Sequence, residues 1–124
     1  MKKLIKILVF SLLLMGSFSV VGTSASAASI TATPDKQTLV GTPQRAYWNL
    51  NWSGTKEFYV YYRHHTGANY QTVLGNTSNT ALSNWYYTYD IGADPNKTWY
   101  GTFRVVDYYG NAATKSVTVA QSRY

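Results

Sequence analysis

Cysteine is absent from the 124 residues of this chain. No disulfide can restrain its unfolded state, and neither a thiolate nucleophile nor a thiolate metal site can be built. Acidic groups are scarce as well, five Asp and Glu against eleven Lys and Arg. Glycoside hydrolysis needs two carboxyl groups facing each other across roughly 5–9 Å. Asp90, Asp94 and Asp107 fall instead at strand ends or turns, in "YDIGADP" and "VDYYGN". The two histidines, His64 and His65, are adjacent, so on a strand they are expected to point to opposite faces and cannot chelate one ion together. A G-x-S-x-G nucleophile motif is missing too. The chain therefore reads as a non-enzyme with no cofactor and no transition-metal site. One alternative stays open at the aspartates: loop oxygens that accept backbone N–H groups, or loop oxygens that hold a calcium ion.

The N-terminus supplies what the rest lacks, a long apolar run. In "MKKLIKILVFSLLLMGSFSVVGTSASAAS", Lys2, Lys3 and Lys6 precede an apolar stretch from Ile7 to about Val21, and small residues follow. This pattern predicts a secretory signal peptide over residues 1–27, cleaved after Ala27 or after Ala28. The apolar run is shorter than the ~20 residues of a membrane span. With no cysteine behind it, lipid attachment at that site is ruled out. The expected mature chain, residues 28–124, has the size of one small domain. Without the three leader lysines the net charge of +6 becomes about +3, eight basic residues against five acidic ones. Nucleic acid is not expected as a partner at that charge, nor a membrane after cleavage; loose association with anionic cell-wall polymers is.

The mature part holds all twelve tyrosines and all four tryptophans. Each buried aromatic side chain removes on the order of 150–250 Å² from water, which compensates for small size and missing disulfides. Helical periodicity, heptads and internal repeats are not found; short alternating stretches between turn residues are. In "RAYWNLNWSG", Ala46, Trp48, Leu50 and Trp52 share one face, and Tyr47, Asn49, Asn51 and Ser53 the other. "EFYVYYRHH" places Phe58, Val60 and Tyr62 against Tyr59, Tyr61, Arg63 and His65. "SNWYYTYDI" places Trp85, Tyr87, Tyr89 and Ile91 against Tyr86, Thr88 and Asp90. "TWYGTFRVVD", "YYGNAA" and "TKSVTVA" predict a hairpin in which Phe103 and Val105 pair inward with Val117 and Val119. "SITATP" is a first strand stopped by Pro34, "YQTVL" a short middle strand, and "GNTSNTALSN" a loop by composition. The triplets "NWS", "NTS" and "NKT" predict exposed turns.

About seven short strands with no helix predict an all-β, antiparallel sandwich. Laid in order, "LNWSG", "FYVYYRHH", "IGADPNKTWYGTFRVVD" and "YGNAATKSVTV" resemble the fibronectin type III and bacterial Ig-like domains: a tryptophan on the second strand, a tyrosine-rich third strand, and an apolar residue, proline and aromatic leading into the sixth. The resemblance covers nearly all of the mature chain. It departs at the family's tyrosine corner, where Gly101 stands two residues before Phe103 and Trp99 or Tyr100 would have to serve. What the resemblance implies is a binding, spacing or adhesion role, without catalytic residues to carry over.

In such a sandwich the third and sixth strands are neighbours. Tyr59, Tyr61 and Arg63 then stand beside Tyr100, Thr102 and Arg104 on an outer face. Tyrosine rings stack on the apolar faces of sugars, and arginine bonds hydroxyls or carboxylates; both are enriched at protein interfaces. Cross-strand Tyr–Arg pairs also stabilise exposed sheets by some tenths of a kcal/mol without any ligand. The expected function is a secreted binding module whose Tyr59, Tyr61, Arg63, Tyr100 and Arg104 hold a polysaccharide, a cell-wall polymer or an extracellular protein. A small secreted effector, either antimicrobial or an inhibitor of an extracellular enzyme, is the alternative. A third reading is self-association through sheet edges, against which Pro34 and Lys115 act as partial guards.

Overall fold

The computed structural model describes residues 27–124. Apart from Ala27, the expected signal peptide lies outside the described residues. Eight strands follow one another: β1 (Ser29–Thr33), β2 (Lys36–Val40), β3 (Gln44–Ser53), β4 (Phe58–Arg63), β5 (Gln71–Thr77), β6 (Ala81–Tyr89), β7 (Asn96–Val106) and β8 (Ala112–Ser122). They form a three-stranded sheet in the order β1-β3-β6 and a five-stranded sheet in the order β2-β8-β7-β4-β5.

Alternation decides which side of each strand is core. Along β3, Ala46, Trp48, Leu50 and Trp52 are buried while Tyr47, Asn49, Asn51 and Ser53 are exposed. Along β4, β7 and β8 the buried partners are Phe58, Val60 and Tyr62, then Trp99, Phe103 and Val105, then Val117 and Val119. Between the sheets the rings of Trp48 and Tyr62 approach to 5.2 Å and those of Trp48 and Phe103 to 5.2 Å; within the five-stranded sheet Tyr62 and Phe103 approach to 4.4 Å. Such pairs add about 0.5–1.5 kcal/mol each beyond the area they bury.

Gln121 is the polar centre of this core. It is buried, its Oε1 accepts from Trp99 Nε1 at 3.1 Å, and its Nε2 donates to Gly41 O at 2.9 Å and to Tyr89 O at 3.1 Å. One amide thereby joins β8 to β7, to the end of β6 and to the loop after β2. Trp99 thus anchors the start of β7 through its indole donor, whereas Tyr100 points outward and is exposed.

Four expectations are corrected. The segment "KQTLV" forms a strand, β2, and it pairs parallel with β8, so the sandwich is not wholly antiparallel. Pro34 and Asp35 connect β1 in the three-stranded sheet to β2 in the five-stranded one, where β8 offers β2 a parallel edge. Where β1 has left β3, the Gln37 amide takes its place: Nε2 donates to Tyr47 O at 2.7 Å and Oε1 accepts from Tyr47 N at 3.1 Å. Second, "GNTSNTALSN" is largely strand, because Gly75–Thr77 end β5 and Ala81 opens β6. The Asn51 and Asn96 triplets likewise lie in strands, although both asparagines are exposed.

Third, the β7–β8 register differs. Phe103 faces Lys115 and Val105 faces Ala113, while Val117 and Val119 face Gly101 and Trp99. All the apolar residues still point inward, because the slip spans an even number of residues. Fourth, the histidine rings do not diverge. β4 ends at Arg63 and the chain turns, bringing the His64 and His65 rings to 4.4 Å.

Candidate ligand-binding face

The register of the five-stranded sheet fixes which side chains share its outer face. Reading across β4, β7 and β8, Tyr59 stands opposite Val106 and Val106 opposite Ala112. In the next outward row, Tyr61 meets Arg104 and Arg104 meets Thr114, with Thr72 of β5 beyond Tyr61. Then come Arg63, Thr102 and Ser116. The row after that joins Tyr100, Thr118 and Lys36 of β2. Tyr59, Tyr61, Arg63, Tyr100 and Arg104 therefore all lie on one face, as the sequence implies, and hydroxyl-bearing Thr and Ser separate them.

They are not one tight cluster. Tyr59 and Tyr61 stack at 6.5 Å with planes 10° apart. Tyr61 meets the ring of Tyr70 edge-on at 6.5 Å, and Tyr70 lies under two guanidinium groups, Arg63 at 5.2 Å and Arg104 at 5.9 Å. Tyr100 stands apart, two outward rows beyond Arg104 along β7. Tyr70 belongs to the site although the alternation pattern did not single it out, since it sits in the turn before β5. The signal available was its place seven residues after Arg63, across the short turn "HHTGAN".

Beyond Tyr100 the face continues into a shallow groove of about 260 Å³ lined by Thr38, Asn96, Lys97, Thr98, Ala120, Gln121 and Ser122. Small side chains on three adjacent strands create the dip. β7 runs the length of the whole strip, and its eleven residues span on the order of 33 Å.

Electrostatics distinguish this surface. None of the five acidic residues lies within a strand: Asp35, Glu57, Asp90, Asp94 and Asp107 all occupy the connections. Of the six basic residues within strands, Lys36, Arg63 and Arg104 stand on this outer face, Arg45 lies in the other sheet, and Lys97 and Lys115 stand opposite Gln121 and Phe103 on the inward side. Lys115 reaches Asp35 at 3.9 Å. Arg63 and Arg104 lie beside aromatic rings instead of carboxylates, and the Nε of Arg63 is buried without a hydrogen-bond partner among the described residues. Partial removal of a guanidinium from water strengthens its pull on an anion.

The carboxylates serve the loops. Asp107 is buried and accepts from Thr55 N at 3.0 Å, Tyr109 N at 3.0 Å, Asn111 N at 2.9 Å and Asn111 Nδ2 at 3.2 Å. These bonds, led by that from Thr55, hold its pKa below the ordinary 3.8. Asp90 accepts from Gly92 N at 2.8 Å and Thr42 Oγ1 at 2.9 Å, with the same direction of shift. The oxygens of Asp90 and Asp107 are thus engaged by N–H and O–H donors of the loops. Among the described residues no three His, Cys, Asp or Glu side chains gather as a metal site.

The histidines pack beside the core. His64 stacks on Tyr87 at 4.9 Å with planes 13° apart, and its backbone oxygen accepts from Tyr89 Oη at 3.1 Å. Burial, and then the neighbouring His65, lower its pKa. Tyr89 Oη also bonds the buried Tyr62 Oη, so the stretch from Phe58 to Tyr70 is half core and half surface. Comparison with protein-family models and with curated proteins finds no match, so the functional reading rests on this geometry.

Proposed function

We propose that this protein is a secreted, non-enzymatic binding module that lays an acidic polysaccharide or an anionic cell-wall polymer along the outer face of its five-stranded sheet. The observation that carries the reading is the sorting of charge: tyrosine, arginine, lysine and hydroxyl side chains share a strip about 33 Å long, and carboxylates are confined to the connections. Rings of Tyr59 and Tyr61 give flat platforms for sugar faces. Arg63 and Arg104, held over Tyr70, offer forked donors to carboxylate or phosphate groups. Tyr100, Thr118 and the small-residue groove extend the same track. An Ig-like, fibronectin type III-like assignment of the sandwich is supported by the strand order, and the leader sequence supports export.

The test is a pull-down of residues 29–124 against insoluble polysaccharides, whole cell walls and soluble culture proteins, with Tyr59→Ala/Tyr61→Ala alongside. Retention on a glycan or wall that the variant loses is the expected result. Capture of one soluble protein, with no retention on any polymer, replaces this reading with that of an inhibitor or effector.

A further inference from the structure

The three-stranded sheet carries a second arrangement of the same kind on the opposite side of the molecule. Tyr47 of β3 and Tyr86 of β6 are direct register partners, 5.7 Å between ring centroids, and both are nearly half exposed, at 44% and 45%. The Arg45 guanidinium lies 4.4 Å from the centre of the Tyr86 ring. Running away from this pair along the same face are Asn49, Thr33, Asn51, Thr31, Ser53 and Ser29, all exposed. The irregularity between Trp48 and Leu50, where Asn84 N donates to Asn49 Oδ1 at 3.0 Å and Asn84 adopts φ 56°, puts a local twist next to the tyrosine pair.

The main features of the first face recur: two tyrosine rings side by side, a guanidinium held on an aromatic ring, a ladder of hydroxyl and amide groups, and no acidic residue in any strand. The partner that fits is consequently of the same chemistry, sugar units that bear carboxylate or phosphate groups. Rows of Ser, Thr and Asn suit hydroxyl-rich units better than the apolar side chains that a protein partner brings to an interface centre. The two faces look in opposite directions, because they are the outer sides of two sheets whose inner sides form the core. A single straight polymer strand cannot lie on both.

We infer that Arg45, Tyr47 and Tyr86 form a second site for an acidic glycan, and that the domain bridges two polymer strands, one on each sheet. This rests on the reading given for the five-stranded face. A one-domain protein then acts as a cross-link, and binding to a polymer network gains from engagement of both faces.

The experiment compares wild type, Tyr47→Ala/Tyr86→Ala, Tyr61→Ala/Arg104→Ala and the fourfold variant, with thermal unfolding to confirm that each retains its fold. Probes are polygalacturonate, which carries carboxylates, and a phosphomannan, which carries phosphodiesters; their comparison identifies the acidic group. Retention on the immobilised polymer is measured beside light scattering of the soluble polymer. The expected result is that wild type makes the soluble polymer scatter and that excess protein reverses this. Each two-residue variant still binds but produces no scattering, its apparent affinity for the immobilised polymer falls on the order of 100-fold, and the fourfold variant does not bind. Unchanged scattering and retention in Tyr47→Ala/Tyr86→Ala overturn the second site while the first stands. Complete loss of retention in that variant, with none in Tyr61→Ala/Arg104→Ala, overturns bridging and the reading of the five-stranded face together. Absence of binding by wild type to either polymer overturns both proposals.

Discussion

Gly101 lies directly beneath the ring of Tyr62, so close that a Cβ on residue 101 would sit 2.5 Å from Tyr62 Oη and 3.0 Å from two ring carbons. The missing side chain in β7 is the space that the buried tyrosine of β4 occupies. Gly101→Ala should therefore destabilise the protein by about 1–3 kcal/mol through overpacking. The penalty should shrink in a Tyr62→Phe background, where the nearest atom is gone. Urea unfolding of the four proteins in that cycle measures the coupling, and equal penalties in both backgrounds would sink this account.

Removing the amide of Gln121 takes away its bonds to the Trp99 indole N–H and to the Gly41 and Tyr89 carbonyls. Gln121→Leu should cost about 2–5 kcal/mol, since each buried group left unpaired costs roughly 1–3 kcal/mol and some recover water. Gln37→Leu, at a more exposed position, should cost less. A denaturation midpoint for Gln121→Leu equal to that of Gln37→Leu contradicts the central role given to Gln121.

Acid should weaken the fold in two separate ranges. The pKa of His64 is lowered from 6.5 by burial and by His65, so the unfolded chain takes up the proton first and stability declines as pH falls below about 6.5. His64→Phe should flatten that decline. The carboxyls of Asp107 and Asp90 are lowered from 3.8. Their contribution is complete above that value and is lost as pH falls through their still lower folded-state values. Urea midpoints followed from neutral pH into acid report both steps, and a midpoint independent of pH through the histidine range refutes the first.

Asp107→Ala should lower stability more than Asp94→Ala. Asp107 joins the β7–β8 turn to Thr55 in the β3–β4 loop, so its loss frees two loops at once. Hydrogen exchange at Thr55, Tyr109 and Asn111 is the specific readout. Faster exchange at those three amides is expected, and unaltered protection there would contradict the arrangement.

Binding to an anionic polymer should fall with salt and nearly vanish at ionic strengths of about 1 M, where the screening length is about 3 Å. Arg63→Gln and Arg104→Gln should each reduce the steepness of the salt dependence, whereas Tyr59→Ala should weaken binding at every salt concentration alike. Isothermal titration across a salt series separates these effects. A slope left unchanged by both arginine variants would show that the guanidinium groups do not meet the ligand's charge.

The sequence alone determined the faces of the strands. In β3 and β4 a period of two in apolar residues has only one solution when one side must leave water, so Trp48, Trp52, Phe58, Val60 and Tyr62 were legible as core, and Tyr59, Tyr61 and Arg63 as surface. Other features depend on contacts between segments distant in the chain. β2 is five residues long and forms because β8 offers it an edge, which no local pattern records. The β7–β8 register moved without changing any face, because periodicity of two is blind to an even slip. Tyr70 joined the arginines, and His64 came to rest beside His65, only once the turn after β4 had closed. Tertiary structure likewise decided that Gly101 makes room for Tyr62, and that Asp90 and Asp107 bond loop amides while both sheet faces keep their positive charge.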